Sequence, residues 1–182
     1  VTQANAGQYL VIGTSAFGCT NTAVSNVSVN TPPMPVIVSN TPCVGGVLNL
    51  TGNGGTSYTW TAPNGFISNL ATPSVTNVTL QYSGIYTLVI SAGNCTAMTT
   101  ANVMVDPIPV PNMISNSPLC EHDNLQMYGL NGYSYVWSGP NNYNGNGSNI
   151  SFVNVGQNHA GTYTAIATDM YGCSGTGTIS IV

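Results

Sequence analysis

The chain has 182 residues, no lysine or arginine, and four acids (Asp106, Glu121, Asp123 and Asp169), for a formal charge of −4. Without cations it cannot neutralise phosphates, which excludes nucleic-acid binding and a polybasic membrane patch. Its apolar runs, such as YLVIG, fall far short of the ~18 residues of a spanning helix, so no membrane insertion is expected; Asn, Thr, Ser and Gly must supply the solubility that charge usually supplies.

Along the chain the segments alternate, rich in Val, Thr, Ile and Tyr, with Gly, Asn and Pro clusters between them, which is the pattern of strands and turns. Residues 1–30 read as two strands. VNTPPMPV (29–36) is a proline-stiffened joint. VLNLT (47–51) places Leu48 and Leu50 on one face and Asn49 on the other. YTWTAP (58–63) and YTLVIS (86–91) follow, and TTANVMV (99–105) closes the stretch. A second joint, VDPIPVPN (105–112), leads to YVWSGP (135–140), YTAIAT (163–168) and TGTISIV (176–182). No segment keeps a helical period.

A repeat of 77 residues organises these elements. Tyr9, Tyr86 and Tyr163 stand 77 apart, as do Trp60 and Trp137, Pro63 and Pro140, and Cys43 and Cys120, while Cys19, Cys95 and Cys173 keep the register within one residue. The chain therefore divides into repeats at 31–105 and 106–182, preceded at 1–30 by the last strands of another, whose earlier strands and first cysteine are expected upstream. About 75 residues with seven or so short strands suit a β-sandwich. The fold class is all-β, with sandwiches joined end to end by the proline-rich linkers.

These repeats resemble immunoglobulin-like (Ig-like) domains, especially the tandem Ig-like and PKD-like modules of large bacterial surface proteins. Trp60 and Trp137 sit where that family's core tryptophan belongs, and VTNVTLQYSGIY (75–86) and FVNVGQNHAGTY (152–163) resemble its E–F corner. The resemblance implies a tyrosine corner at Tyr9, Tyr86 and Tyr163, and core packing for all three and for both tryptophans. The chain departs from the family in two ways. Val11, Leu88 and Ala165 replace the central cysteine, and Asn5, Tyr82 and His159 replace the corner aspartate.

One early and one late cysteine per repeat favour a disulfide framework over a metal site. The default pairs are Cys43–Cys95 and Cys120–Cys173 within repeats, with the partner of Cys19 upstream. In Ig topology the early and late cysteines lie at opposite poles, so Cys43–Cys173 is a rival. Disulfides imply an oxidising compartment, extracellular or at the cell surface.

Six N-x-[S/T] sequons, at Asn26, Asn49, Asn77, Asn94, Asn146 and Asn149, are glycosylation candidates. Glu121, His122 and Asp123 form the one charged cluster, read as a solvated turn, and Asp106 stands alone in a linker; no metal or cofactor is expected. The scattered acids and two histidines offer neither paired carboxylates nor a Ser–His–Asp set, so no enzyme activity is expected. The leading expectation is a non-catalytic segment of a surface stalk or self-assembling filament, partnered by copies of itself. The alternative is a carbohydrate-binding module using Tyr133, Tyr135, Tyr143 and Tyr171, with a glycan as partner.

Overall fold

The computed structural model describes all residues, 1–182, as antiparallel strands joined by turns and single 3-10 turns. Strands β1 (Gly7–Thr14) and β2 (Thr20–Val27) form a two-stranded sheet by themselves, in register from Gly7↔Val27 to Thr14↔Thr20. Every side chain of this hairpin is exposed. Tyr9, expected in a core, is 52% exposed, because no second sheet faces the hairpin's apolar side.

The next repeat builds two sheets. One runs β3 (Val36–Ser39), β4 (Val47–Asn53), β7 (Ser74–Thr76); the other runs β6 (Ile67–Ser68), β5 (Ser57–Thr61), β8 (Gly84–Ala92), β9 (Cys95–Val103). The last repeat copies this order with β10 (Asn112–Ser115), β11 (Leu125–Leu130), β14 (Asn149–Phe152) in one sheet. Its second sheet holds β13 (Tyr143–Asn146), β12 (Ser134–Gly139), β15 (Gly161–Thr168) and β16 (Ser174–Ile181).

Strict alternation makes these strands two-faced. In β4, Leu48 and Leu50 are buried and Asn49 is exposed; in β8, Tyr86, Leu88 and Ile90 are buried. In the last repeat, Leu125, Met127 and Ile150 from one sheet pack with Trp137, Tyr163, Ala165 and Ile181 from the other, closing a sandwich core. Each tryptophan lies directly across the ladder from the residue that replaces the family's central cysteine, Trp60↔Leu88 and Trp137↔Ala165. The apolar side chains of Leu88 and Ala165, both fully buried beside an indole, thus stand where a central disulfide would.

Two of the corner tyrosines bond four residues back. Tyr163 Oη donates to the His159 carbonyl at 3.1 Å, and Tyr9 Oη to the Asn5 carbonyl at 3.0 Å. Two of the residues in place of the corner aspartate, Asn5 and His159, still cap the preceding turn. Asn5 Oδ1 accepts from the Thr2 N–H at 2.8 Å, and His159 Nδ1 from the Gly156 N–H at 3.2 Å.

Compact packing divides the chain into two units, residues 1–40, 49–74 and 84–103, and residues 41–48, 75–83 and 104–182. No sheet crosses the repeat boundary at 105/106, yet the compact units depart from it. Segments 41–48 and 75–83, from the earlier repeat, belong with the last one.

Candidate functional site

The most specific chemistry in the chain is its sulfur. Cys43 is bonded to Cys173, with Cα atoms 5.6 Å apart and 130 residues between them in sequence, and both belong to the second compact unit. Cys19, Cys95 and Cys120 are free thiols. The within-repeat pairs Cys43–Cys95 and Cys120–Cys173 are therefore not formed.

Strand length is the reason. Cys43 forms a bridge with Asp106: the Val44 N–H donates to the Asp106 carbonyl at 2.8 Å and the Asp106 N–H to the Pro42 carbonyl at 2.9 Å. Asp106 lies just past the end of β9, and Cys95 begins that strand. The nine residues of β9 alone span roughly 26 Å, whereas a disulfide needs Cα atoms within about 7 Å. The same holds in the last repeat. Cys173 precedes β16, and the far end of that strand is held by Ser117, whose hydroxyl donates to the Val182 carbonyl at 3.1 Å, on the segment that carries Cys120.

Cys173 instead meets Cys43 because the linker after Asp106 passes against the start of β16. A Cβ at Gly175 would strike the Pro109 carbonyl and the Ile108 side chain, so glycine permits this close approach. Cys173 itself is buried.

The charged turn is an internally bonded cap. Asp123 Oδ2 accepts the Cys120 N–H at 3.0 Å, and His122 Nδ1 pairs with Asn154 Oδ1 at 2.8 Å. No group of three His, Cys, Asp or Glu side chains gathers anywhere that could hold a metal. Asp106 is the one buried acid, and its Oδ2 meets no hydrogen-bond partner.

The four tyrosines of the carbohydrate-binding alternative are dispersed by the fold. Tyr133 and Tyr171 are 82% and 58% exposed, but Tyr135 is 3% exposed, on the core side of β12 with Trp137. Tyr143 packs edge-on against Phe152, with ring centroids 4.8 Å apart. Burial pushes the phenols of Tyr135, Tyr143 and Tyr163 above their ordinary value. For Tyr135 the Gly132 backbone pulls weakly the other way without a hydrogen bond of good geometry. For Tyr163 the neighbouring Tyr143 adds to the rise. All six sequon asparagines are exposed.

No protein-family model matches this chain, and no curated protein is similar to it in sequence. Solved structures are. An I-band fragment of titin matches with a TM-score of 0.50 at 15% identity, covering 100% of this chain and 76% of the fragment. The three N-terminal domains of the highly immunogenic outer capsid protein of bacteriophage RB49 match with a TM-score of 0.49 at 14% identity, over 83% of this chain and 58% of that one. Extracellular domains 3–5 of Drosophila OTK match with a TM-score of 0.48 at 14% identity, over 100% of this chain and 72% of that one. At such identities the likeness is one of fold. With the strand order and the tryptophan placement described above, the titin match defines the class: all-β, Ig-like sandwiches in tandem.

Proposed function

We propose that this chain is a structural, non-catalytic segment of an extracellular protein built from Ig-like repeats, serving as a surface stalk or as the subunit of a self-assembling filament like those of large bacterial surface proteins. The observation that carries this reading is the Cys43–Cys173 disulfide, which ties the two complete repeats covalently. Closing a loop of this length disfavours the unfolded chain by about 5 kcal/mol in the chain-entropy model, and the bond persists only in an oxidising compartment. A device that resists separation of neighbouring repeats suits a load-bearing part. The hairpin leaves Leu10, Val11, Ile12 and Val24 exposed on a sheet with two free edges, a surface that strands of its own repeat or of a second copy would cover.

Electron microscopy of the protein isolated from its source tests this. Filaments or surface-attached repeat arrays are expected, and single dispersed particles bearing no connection to a cell surface or fibre would refute it. The exposed sequons leave the chain open to glycosylation, which could solvate a surface nearly devoid of charge. Its intact mass decides this: a mass equal to the polypeptide alone removes the glycan.

A further inference from the structure

Two of the three free thiols, Cys120 and Cys19, occupy the same local structures as the two bonded cysteines, while Cys95 stands one residue out of the period at the start of β9. Cys120 follows Cys43 by 77 residues, and Cys19 precedes Cys173 by twice that period. Around Cys43, the Gly46 N–H donates to the Cys43 carbonyl at 2.9 Å, the Gly45 N–H to Val78 at 2.7 Å, and the Val78 N–H to Gly46 at 3.2 Å. Around Cys120 the same three bonds run from Asp123 to Cys120 at 3.2 Å, from His122 to Val155 at 2.8 Å, and from Val155 to Asp123 at 2.9 Å. His122 even adopts φ 74°, close to the 82° of Gly45, a conformation uncommon for any residue with a side chain. The turn is thus kept although its glycine is not.

The late position shows the same identity. The Ser15 N–H donates to the Cys19 carbonyl at 2.8 Å and the Asp169 N–H to the Cys173 carbonyl at 2.9 Å. The Cys19 and Cys173 N–H groups donate in turn to Ser15 Oγ at 3.2 Å and Asp169 Oδ1 at 2.9 Å.

A second observation comes from the surface beside Cys120. A mostly apolar pocket of about 130 Å³ lies there, lined by residues including Leu119, Leu125, Val155, Ala160 and Ile181. One period earlier, the equivalent positions fall in segments 41–48 and 75–83 and at Met104, which all belong to one compact unit with the last repeat. Beside Cys43 these positions pack in one unit with the residues that follow 105, and beside Cys120 the pocket is bounded by Val182.

We propose that Cys19, Cys95 and Cys120 are half-cystines of a ladder in which the early cysteine of each repeat is bonded to the late cysteine of the following repeat. Cys120 takes the equivalent of Cys173, and Cys19 and Cys95 each take an equivalent of Cys43. The partner is a half-cystine on another repeat of this kind, in the same polypeptide or in a second copy, and that repeat covers the pocket beside Cys120. Each bond forms by exchange with a disulfide donor. One thiolate attacks the donor to give a mixed disulfide, and the second thiolate displaces the donor sulfur. Two thiol protons are released, and the donor leaves as a dithiol carrying two electrons. The ladder rests on the repeat pattern and not on the stalk or filament reading.

The test is peptide mapping of the protein from its source, alkylated without reduction, then denatured and cleaved with chymotrypsin. Expected are the Cys43–Cys173 peptide, no alkylation at Cys19, Cys95 or Cys120, Cys120 linked to the late-cysteine loop of another repeat, and Cys19 and Cys95 linked to early-cysteine turns. A non-reduced denatured mass equal to one polypeptide places the partners in the same chain, and a reducible multimer places them in a second copy; both support the ladder. Alkylation of any of the three while Cys43–Cys173 stays bonded overturns it, as does a bond between any two of them within one chain or between two late cysteines. Alkylation of all five overturns the ladder together with the oxidising compartment.

Discussion

The indole N–H of Trp137 donates to the carbonyl of Gly147 at 2.9 Å, and Trp60 makes the same bond to Leu70 at 2.8 Å, with donor and acceptor each shifted by 77 residues. Both rings are fully buried. Each tryptophan therefore joins two functions, filling the sandwich and tying the loop ten residues ahead to it.

Replacing Trp137 with phenylalanine removes the donor and leaves a void where the larger ring stood. Costs of cavity and hydrogen bond together come to about 2–4 kcal/mol. Urea titration followed by circular dichroism is expected to show the midpoint lowered accordingly. An unchanged midpoint would mean that Trp137 is not the centre of the core.

Two buried tyrosines of the same repeat separate under one substitution. Tyr163 Oη is satisfied by the His159 carbonyl, whereas Tyr135 Oη is buried without a partner. Tyr163→Phe loses a hydrogen bond and strands an acceptor, a loss of about 1 kcal/mol; Tyr135→Phe relieves an unsatisfied hydroxyl and is neutral or stabilising. At Tyr9, whose corner bond is exposed to water, phenylalanine changes stability by less than about 0.5 kcal/mol. Thermal melts of the three variants check the order.

Much of this was legible in the sequence, because the period is written in residues that a sandwich cannot do without. A large ring in the core and a tyrosine at a corner recur wherever the strands recur, so Trp60, Trp137, Tyr86 and Tyr163 mark the architecture. Tyr9 carries the same local signal as Tyr86 and Tyr163, but burial requires a facing sheet, which the strand's own residues do not encode. Tyr135 had a usable signal, since it shares alternation parity with Trp137 and so belongs on the core side of β12. Cysteine pairing was legible only in part: the opposite poles of the early and late cysteines made Cys43–Cys173 a rival to the within-repeat pairs, and the structure forms it. Spacing locates each cysteine on its strand, but which strand ends meet depends on the path of the linker past Gly175.

The raised phenol pKa values fix the sign of the pH dependence. Burial favours the neutral form of Tyr143, Tyr135 and Tyr163, so above the ordinary value of 10.0 the unfolded chain releases protons that the native state retains. The stability these groups contribute is complete below about pH 10 and is lost as pH rises through their native pKa values. The urea midpoint is expected to fall above that pH, and less steeply in a Tyr135→Phe, Tyr163→Phe double variant. A double variant with an unaltered alkaline slope would show that these phenols do not drive it.

Proteases read both the composition and the burial. Trypsin requires lysine or arginine, and the chain has neither, so trypsin leaves it intact whether folded or denatured. Chymotrypsin has many potential sites, but in the native state the large ones are unequally presented. Trp60, Trp137, Tyr86 and Tyr163 are buried within paired strands, whereas Phe17 stands 95% exposed in the turn between β1 and β2, and Tyr133 lies exposed in the turn before β12. Cleavage needs several residues of extended, accessible chain, which turns supply and ladders withhold. A time course read by mass spectrometry is therefore expected to show early cuts at Phe17 and Tyr133, with cuts at the tryptophans only after unfolding. Early cleavage at Trp137 under native conditions would contradict the sandwich core of the last repeat.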